Sequence, residues 1–176
     1  KMVNDFELSS IISSLEKLEF IKVNNEPKVV KKKEYKLILN DKDLDEAIES
    51  VLKTDLVSFD LETTGVNPMT AEIVGISIST EPDKGFYIPI LFPNTLDAEI
   101  VPQITYSDIY DRINPIFNCS NTLYVGQNIK YDMLILRRYG IEVEGKLFDT
   151  MIAAHLLNPD RRSYKMDFLS TDHLDY

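Results

Sequence analysis

Residues 57–65 read VSFDLETTG, and the reading of this stretch decides the fold. An apolar run, Leu56-Val57-Ser58-Phe59, leads directly into two acids one residue apart, Asp60 and Glu62. Alternate side chains of a strand share a face. Ser58, Asp60 and Glu62 therefore point one way, and Val57, Phe59 and Leu61 the other. Two like charges that close repel by roughly 1 kcal/mol in water and by about 4 kcal/mol at the lower effective dielectric near protein. A proton, an arginine or a metal ion has to offset that repulsion.

Two further strands follow, at 72–79 (EIVGISIS) and 85–90 (GFYIPI). The turn-rich segments TGVNPMT and EPDKG separate the three, which predicts an antiparallel meander. Upstream, YKLIL (35–39) reads as a short strand. Asp41 is placed to cap a helix whose buried stripe is Leu44, Ala47, Ile48, Val51 and Leu52. Downstream, 93–106 has no regular pattern. Helix 107–118, strand 122–126 and helices 128–139, 150–158 and 164–175 complete the chain. Asp149 reads as the N-cap of helix 150–158, which then buries Ile152, Ala153, Leu156 and Leu157. The expected fold is α/β: a mixed sheet with an antiparallel meander first, a parallel strand after it, and helices on both faces. Residues 5–20 (DFELSSIISSLEKLEF) show helical spacing, and the polar tract VNNEPKVVKKKE after them reads as a linker. Residues 1–34 are thus expected to stand apart from a domain at 35–176.

The length of 176 residues suits one such domain, and 44% hydrophobic residues support a sizeable core. Cys119 is the single cysteine, which excludes an internal disulfide and a cysteine-based zinc cluster. No apolar run is long enough to span a membrane, and KMVNDFELSS lacks a signal-peptide core. A cytoplasmic protein with no membrane association is the expectation. The net charge of −10 argues against binding phosphates through Lys and Arg. It leaves room for an enzyme that meets phosphate through metal ions held on carboxylates. The one basic cluster, Lys28, Lys31, Lys32, Lys33 and Lys36, reads as a solvated linker.

A third acid stands in YVGQNIKYDMLILRRYG (124–140). On a helical wheel for 128–139, Asn128, Asp132, Ile135 and Tyr139 share one side, beside Ile129, Met133 and Leu136. Lys130, Arg137 and Arg138 mark the wet side. Asp132 is therefore aimed inward, where an unpaired charge is costly. Hydrogen bonds from backbone or tyrosine could satisfy it, as could a cation shared with the first motif.

The combination resembles a known family. FDLET (59–63), GQNIKYD (126–132) and LFDTMIAAHLLNP (147–159) look like the first two motifs and the following helix of DEDD 3′–5′ exonucleases. The branch it looks most like is the proofreading domain of bacterial family A DNA polymerases, the DNA polymerase I family. An inward Asp in GQNxKYD, 72 residues after the Asp of DxET, is a specific pattern. The resemblance runs from about residue 35 to the end, and residues 6–18 look like the tail of a preceding nuclease region. It implies a ribonuclease-H-like fold and a site for two Mg²⁺ or Mn²⁺ ions about 4 Å apart. Hard oxygen ligands suit those ions better than zinc. It further implies that Asp60 bridges both ions, Glu62 holds the one on the nucleophile side, and Asp132 holds the other through water. Thr63 and Asn128 match positions that contact the terminal nucleotide. Val66 matches an apolar position against the terminal bases, and Tyr131 precedes the Asp as in the family. The implied partners are a single-stranded DNA 3′ end and a polymerase domain of the same polypeptide, in a monomer.

The family's third motif, Tyr-x-x-x-Asp, supplies a fourth carboxylate and a water-orienting tyrosine. None of the nine tyrosines has an Asp four residues later. The family pattern places that motif further downstream than this chain extends, so weak metal binding and little or no activity alone are expected. The pair His155 and Asp160 (HLLNPD) fits the histidine branch, but lies only 23 residues past Asp132 and inside a helix that already matches the polymerase branch. An RNA-trimming exonuclease of the RNase D type is the second reading, and an exonuclease-like scaffold or nucleic-acid clamp the third.

Overall fold

The computed structural model describes residues 33–91, 104–105 and 108–174. The expected helix at 5–20 and most of the linker lie outside the described residues, as does most of 93–106.

The strands are β1 (Glu34–Leu37), β2 (Leu56–Thr63), β3 (Ile73–Ser79), β4 (Lys84–Leu91), β5 (Ile104–Thr105), β6 (Leu123–Gly126) and β7 (Lys146–Asp149). The helices are α1 (Asp41–Leu52), α2 (Ile109–Phe117), α3 (Lys130–Arg138), α4 (Thr150–Leu157) and α5 (Met166–Leu174). The sheet runs β1-β4-β3-β2-β6-β7, with β5 alongside β4. β2, β3 and β4 form the expected meander. β6 joins β2 in parallel, as the sequence predicts. Both outer strands, β1 on β4 and β7 on β6, are also parallel, so β3 alone runs against the rest of this path.

Period-two alternation in β2 buries Val57, Phe59 and Leu61 and leaves Ser58, Asp60 and Glu62 on the opposite face. Register then carries the core across the sheet, because Phe59 pairs with Ile78 and Leu61 with Ile76. α1, α2 and α3 cover this face with Leu44, Ala47 and Val51, with Ile109, Ile113, Ile116 and Phe117, and with Ile135 and Leu136. Each of these side chains larger than Ala47 contributes roughly 1.5–3 kcal/mol of burial. Phe59 meets Phe117 edge-on at 5.0 Å, which seats β2 firmly on the core. α4 and α5 lie on the other face, where they line a groove with Ser58, Asp60 and Val125. No helix among the described residues is long and apolar enough to cross a membrane.

Several local expectations are corrected. Asn40, not Asp41, caps α1: its side chain accepts the Asp43 N–H at 2.9 Å. Ile48 is only half-buried and Leu52 is exposed, so the buried stripe is Leu44, Ala47 and Val51. α3 starts at Lys130, because Asn128 takes a left-handed backbone (φ 58°) that no α-helix accommodates. β7 was not anticipated. α4 buries none of its residues, and Leu156 and Leu157 are 76% and 85% exposed. An apolar stripe reports that a helix face wants cover. Among the described residues nothing covers the outer side of this one. Lys36, read with the basic cluster as linker, instead lies in β1 and is paired with Asp43 and Glu46 at 2.8 and 2.6 Å.

Candidate active site

The site is built where β2 outruns its neighbour. β2 pairs with β6 only from Leu56 to Ser58, so past Ser58 its backbone on that side needs another partner. α3 supplies one. Asp132 is 3% exposed, and its Oδ1 accepts the Leu61 N–H at 3.2 Å. The inward orientation read from the helical wheel is therefore correct, and the carboxylate lands between Asp60 and Glu62 in sequence.

The other acids share the open face of β2. Asp60 is half-buried and Glu62 exposed. The residues across from them on β3 are small: Ser58 faces Ser79, Asp60 faces Ser77, and Glu62 faces Gly75. The alternation G-I-S-I-S (75–79) carries this signal in the sequence, but its meaning needs the strand register. Tyr87 of β4 leans over Gly75, so that a Cβ there would lie 2.1 Å from its hydroxyl. The Tyr87 hydroxyl is thereby brought toward Glu62, and burial, with the Glu62 charge second, raises its pKa.

Electrostatics tie the acids together. Burial pushes the Asp132 carboxyl up to about 7, the Asp60 charge adds to this, and the Leu61 N–H pulls against it. Burial, then the Glu62 charge, also raises Asp60. Among the described residues no Lys or Arg pairs with Asp60, Glu62 or Asp132. An unneutralised set of hard oxygen donors has the chemistry for a hard divalent cation. As placed, however, no three acidic, histidine or cysteine side chains among the described residues are gathered into one ion-holding group. Glu62, being exposed, is the member with room to turn.

Beside the acids, Leu61, Glu62, Thr63, Thr64, Gly65, Val66, Asn128 and Tyr131 line a cleft of about 490 Å³. Thr63, Val66, Asn128 and Tyr131, expected from separate parts of the chain, thus meet in one place. The Tyr131 hydroxyl lies 2.9 Å from Thr63 Oγ1 and also bonds the Gly65 carbonyl. Val66 stands at the rim, 94% exposed. The far end of α3 grips the same β2–β3 loop: Arg138 pairs with Glu72 at 3.1 Å and donates to the Pro68 carbonyl at 3.1 Å.

His155 and Asp160 are both exposed. The His155 ring packs edge-on against Tyr164 at 5.1 Å. Asp149 caps α4 as predicted, but it also accepts two N–H groups from the start of the α3 segment. The sequence offered no sign of that second role.

Comparison with known proteins accords with this architecture. *Escherichia coli* RNase D, an exoribonuclease involved in structured RNA processing, superposes with a TM-score of 0.60 at 15% identity, over 81% of this chain and 34% of that one. *Brucella melitensis* NrnC with bound Mg²⁺ does so with a TM-score of 0.55 at 16% identity, over 83% and 63%. These likenesses show a shared ribonuclease-H-like fold. In sequence, DNA polymerase I of *Borreliella burgdorferi* is 36% identical over 140 residues, 80% of this chain and 14% of that protein. The chain thus spans about one seventh of the relative it matches. The profile of the DNA polymerase A family described as 3′–5′ exonuclease matches residues 35–176. From Tyr35 onward, the chain belongs to the 3′–5′ exonuclease domain family of family A DNA polymerases, a family of metal-dependent nucleases.

Proposed function

We propose that this domain removes nucleotides one at a time from the 3′ end of single-stranded DNA, as the proofreading part of a DNA polymerase I. The observation that carries the reading is the Asp132 carboxylate held on the Leu61 N–H, between Asp60 and Glu62 in sequence, without a basic partner for any of the three among the described residues, beside the cleft of Thr63, Val66, Asn128 and Tyr131. Asp60, Glu62 and Asp132 would hold two Mg²⁺ or Mn²⁺ ions, which supply an activated water and neutralise charge on the leaving oxygen. Cation binding would offset the burial, and after it the mutual repulsion, that raise Asp60 and Asp132. Asp132 enters the site already oriented, because Leu61 holds one of its oxygens. Thr63 and Asn128 bind the terminal nucleotide, Tyr131 fixes the loop that carries Val66, and Val66 packs on the terminal base. The sequence contains no Tyr-x-x-x-Asp, so turnover by these residues alone is slow.

The test uses the purified chain with 5′-labelled single-stranded DNA and a matched RNA. In Mn²⁺ the DNA should shorten slowly from its 3′ end, and calorimetry should show weak Mn²⁺ binding. Asp60→Ala should abolish both. Absence of Mn²⁺ binding, or equal trimming by Asp60→Ala, would overturn the reading. Preferential trimming of the RNA would replace DNA by RNA as the substrate.

A further inference from the structure

Asp149 ends β7 directly across from Gly126, the last residue of β6. Its Oδ1 accepts the Met151 and Ile152 N–H groups at 2.9 and 3.2 Å, an ordinary N-cap for α4. The same oxygen accepts the Asn128 N–H at 3.1 Å, and Oδ2 accepts the Ile129 N–H at 3.0 Å. Backbone donors at the starts of two helical segments thus converge on one carboxylate. Charge-assisted bonds of this kind are shorter and stronger than neutral ones, and a negative charge is favoured at a helix N-terminus. Thr150 reinforces the junction, with its Oγ1 3.1 Å from the Gly126 carbonyl oxygen.

The bonds to the α3 segment fall where the chain is hardest to place. Asn128 has φ 58°, in the left-handed region that most residues avoid and that Asn tolerates better than most. This turn sets where α3 begins. Asn128 leaves it into the cleft, and Asp132, one turn further on, reaches Leu61. Successive helical residues differ by about 100° in direction. A slip of α3 by a single residue would therefore take Asp132 off Leu61 entirely.

We propose that Asp149 is a positioning residue for the hydrolytic site. Its carboxylate locks the left-handed turn at Asn128 and so fixes the phase of α3, which delivers Asn128 and Asp132 together. The proposal rests on the role given above to Asp132, but its test needs no turnover.

The test is amide hydrogen exchange by NMR on the full chain, with the core amides of Ile76 and Ile78 reporting global opening. Asp149→Asn keeps the shape but turns one of the two oxygens into an NH2 donor; with Oδ1 kept for the Met151, Ile152 and Asn128 N–H groups, the Ile129 N–H loses its acceptor and faces a donor instead. Relative to the core amides, exchange should rise at least tenfold at Ile129, and also at Leu61, which Asp149 does not touch. A plain cap of α4 predicts faster exchange at Met151 and Ile152 with Leu61 unchanged, and that result would overturn the proposal. Asn128→Gly added to Asp149→Asn should restore Leu61 protection, because glycine takes positive φ unaided. Failure of that rescue would also overturn it. Should Asp149→Asn not fold, Asp149→Glu replaces it with the same two outcomes. A parallel Mn²⁺ titration separates the two readings. A wild type that binds no Mn²⁺ removes the hydrolytic role, while the Leu61 amide still decides whether Asp149 sets the position of α3.

Discussion

Asp132 hydrogen-bonds the backbone N–H of Leu61, the residue between Asp60 and Glu62, at 3.2 Å. One bond therefore joins the two acidic motifs. It satisfies a strand donor that β6 is too short to reach, and it holds a carboxylate where its charge is unwelcome. The acid serves as backbone acceptor and candidate ligand at once, so stability and activity are coupled through it.

The first consequence is a pH dependence of stability. Unfolded, Asp132 titrates near the ordinary aspartate value of 3.8, and folded at about 7. Between those values the folded protein keeps a proton that the unfolded chain has released. Stability must fall as pH rises through this window, by on the order of 1.4 kcal/mol per pH unit for one fully shifted group. Above the folded value the penalty is complete. Asp43, held low by Lys36, titrates below the window. Urea midpoints measured in EDTA from pH 5 to pH 8 should decline, and Mg²⁺ at pH 8 should recover part of the loss. A flat or rising profile would contradict the placement of Asp132.

Asp132→Asn separates the two duties of this side chain. The amide oxygen can still accept the Leu61 N–H, while the buried charge is gone. At pH 8 without metal the variant should be more stable than the wild type by about 1–2 kcal/mol, with exonuclease activity lost. Asp132→Ala loses the bond as well and should be less stable than Asp132→Asn. At pH 5 the folded wild type is largely protonated and most of the penalty is relieved, so its gap to Asp132→Asn should narrow. Thermal denaturation of the three proteins at both pH values checks the order. An Asn variant less stable than wild type at pH 8 would mean that the charge itself is stabilising.

The elements legible in the sequence are those with one face in the core. β2, β3 and β4 alternate apolar with small or polar residues, and their turns carry Gly, Pro and Asn, so the meander is readable. β7 is a four-residue edge strand with little burial on either side, which leaves no alternation to read. The inward turn of Asp132 follows from helical periodicity alone. The two-sided grip of Asp149 does not, because it depends on Gly126 and Asp149 being cross-strand partners. The small residues Gly75, Ser77 and Ser79 acquire meaning only once β3 is in register opposite the acids. For α4, the apolar pattern was real but its burial was not, since periodicity names a face without naming its cover.

Two glycines make opposite kinds of close approach. A Cβ on Gly75 would meet the Tyr87 hydroxyl at 2.1 Å, the far end of a side chain that can swing away. A Cβ on Gly145 would meet the Thr122 carbonyl oxygen at 2.2 Å and the Cys119 carbonyl oxygen at 2.9 Å, both backbone. Overpacking of this kind costs about 1–3 kcal/mol where neighbours can yield, and more where they cannot. Gly145→Ala should therefore destabilise the fold more than Gly75→Ala in urea titrations. Gly75→Ala should instead perturb the Tyr87 hydroxyl and the surroundings of Glu62, and so lower activity out of proportion to stability. Equal losses of stability in the two variants would argue that Tyr87 is as rigid as backbone.

Tyr131 offers a test of the cleft that spares the carboxylates. Its hydroxyl bonds Thr63 and the Gly65 carbonyl, which fixes the loop holding Val66 at the rim. Tyr131→Phe keeps the ring and removes only those bonds, at a cost to stability of about 1 kcal/mol. The acids keep their positions, because the bond from Leu61 to Asp132 does not involve the ring. Under the proposed roles of Thr63 and Val66, the loss should appear as weaker hold on the terminal nucleotide. KM for single-stranded DNA should rise several-fold while kcat changes little, and Asp132→Asn should still abolish what activity remains. A fall in kcat at unchanged KM would move Tyr131 from holding the substrate to acting in the chemical step.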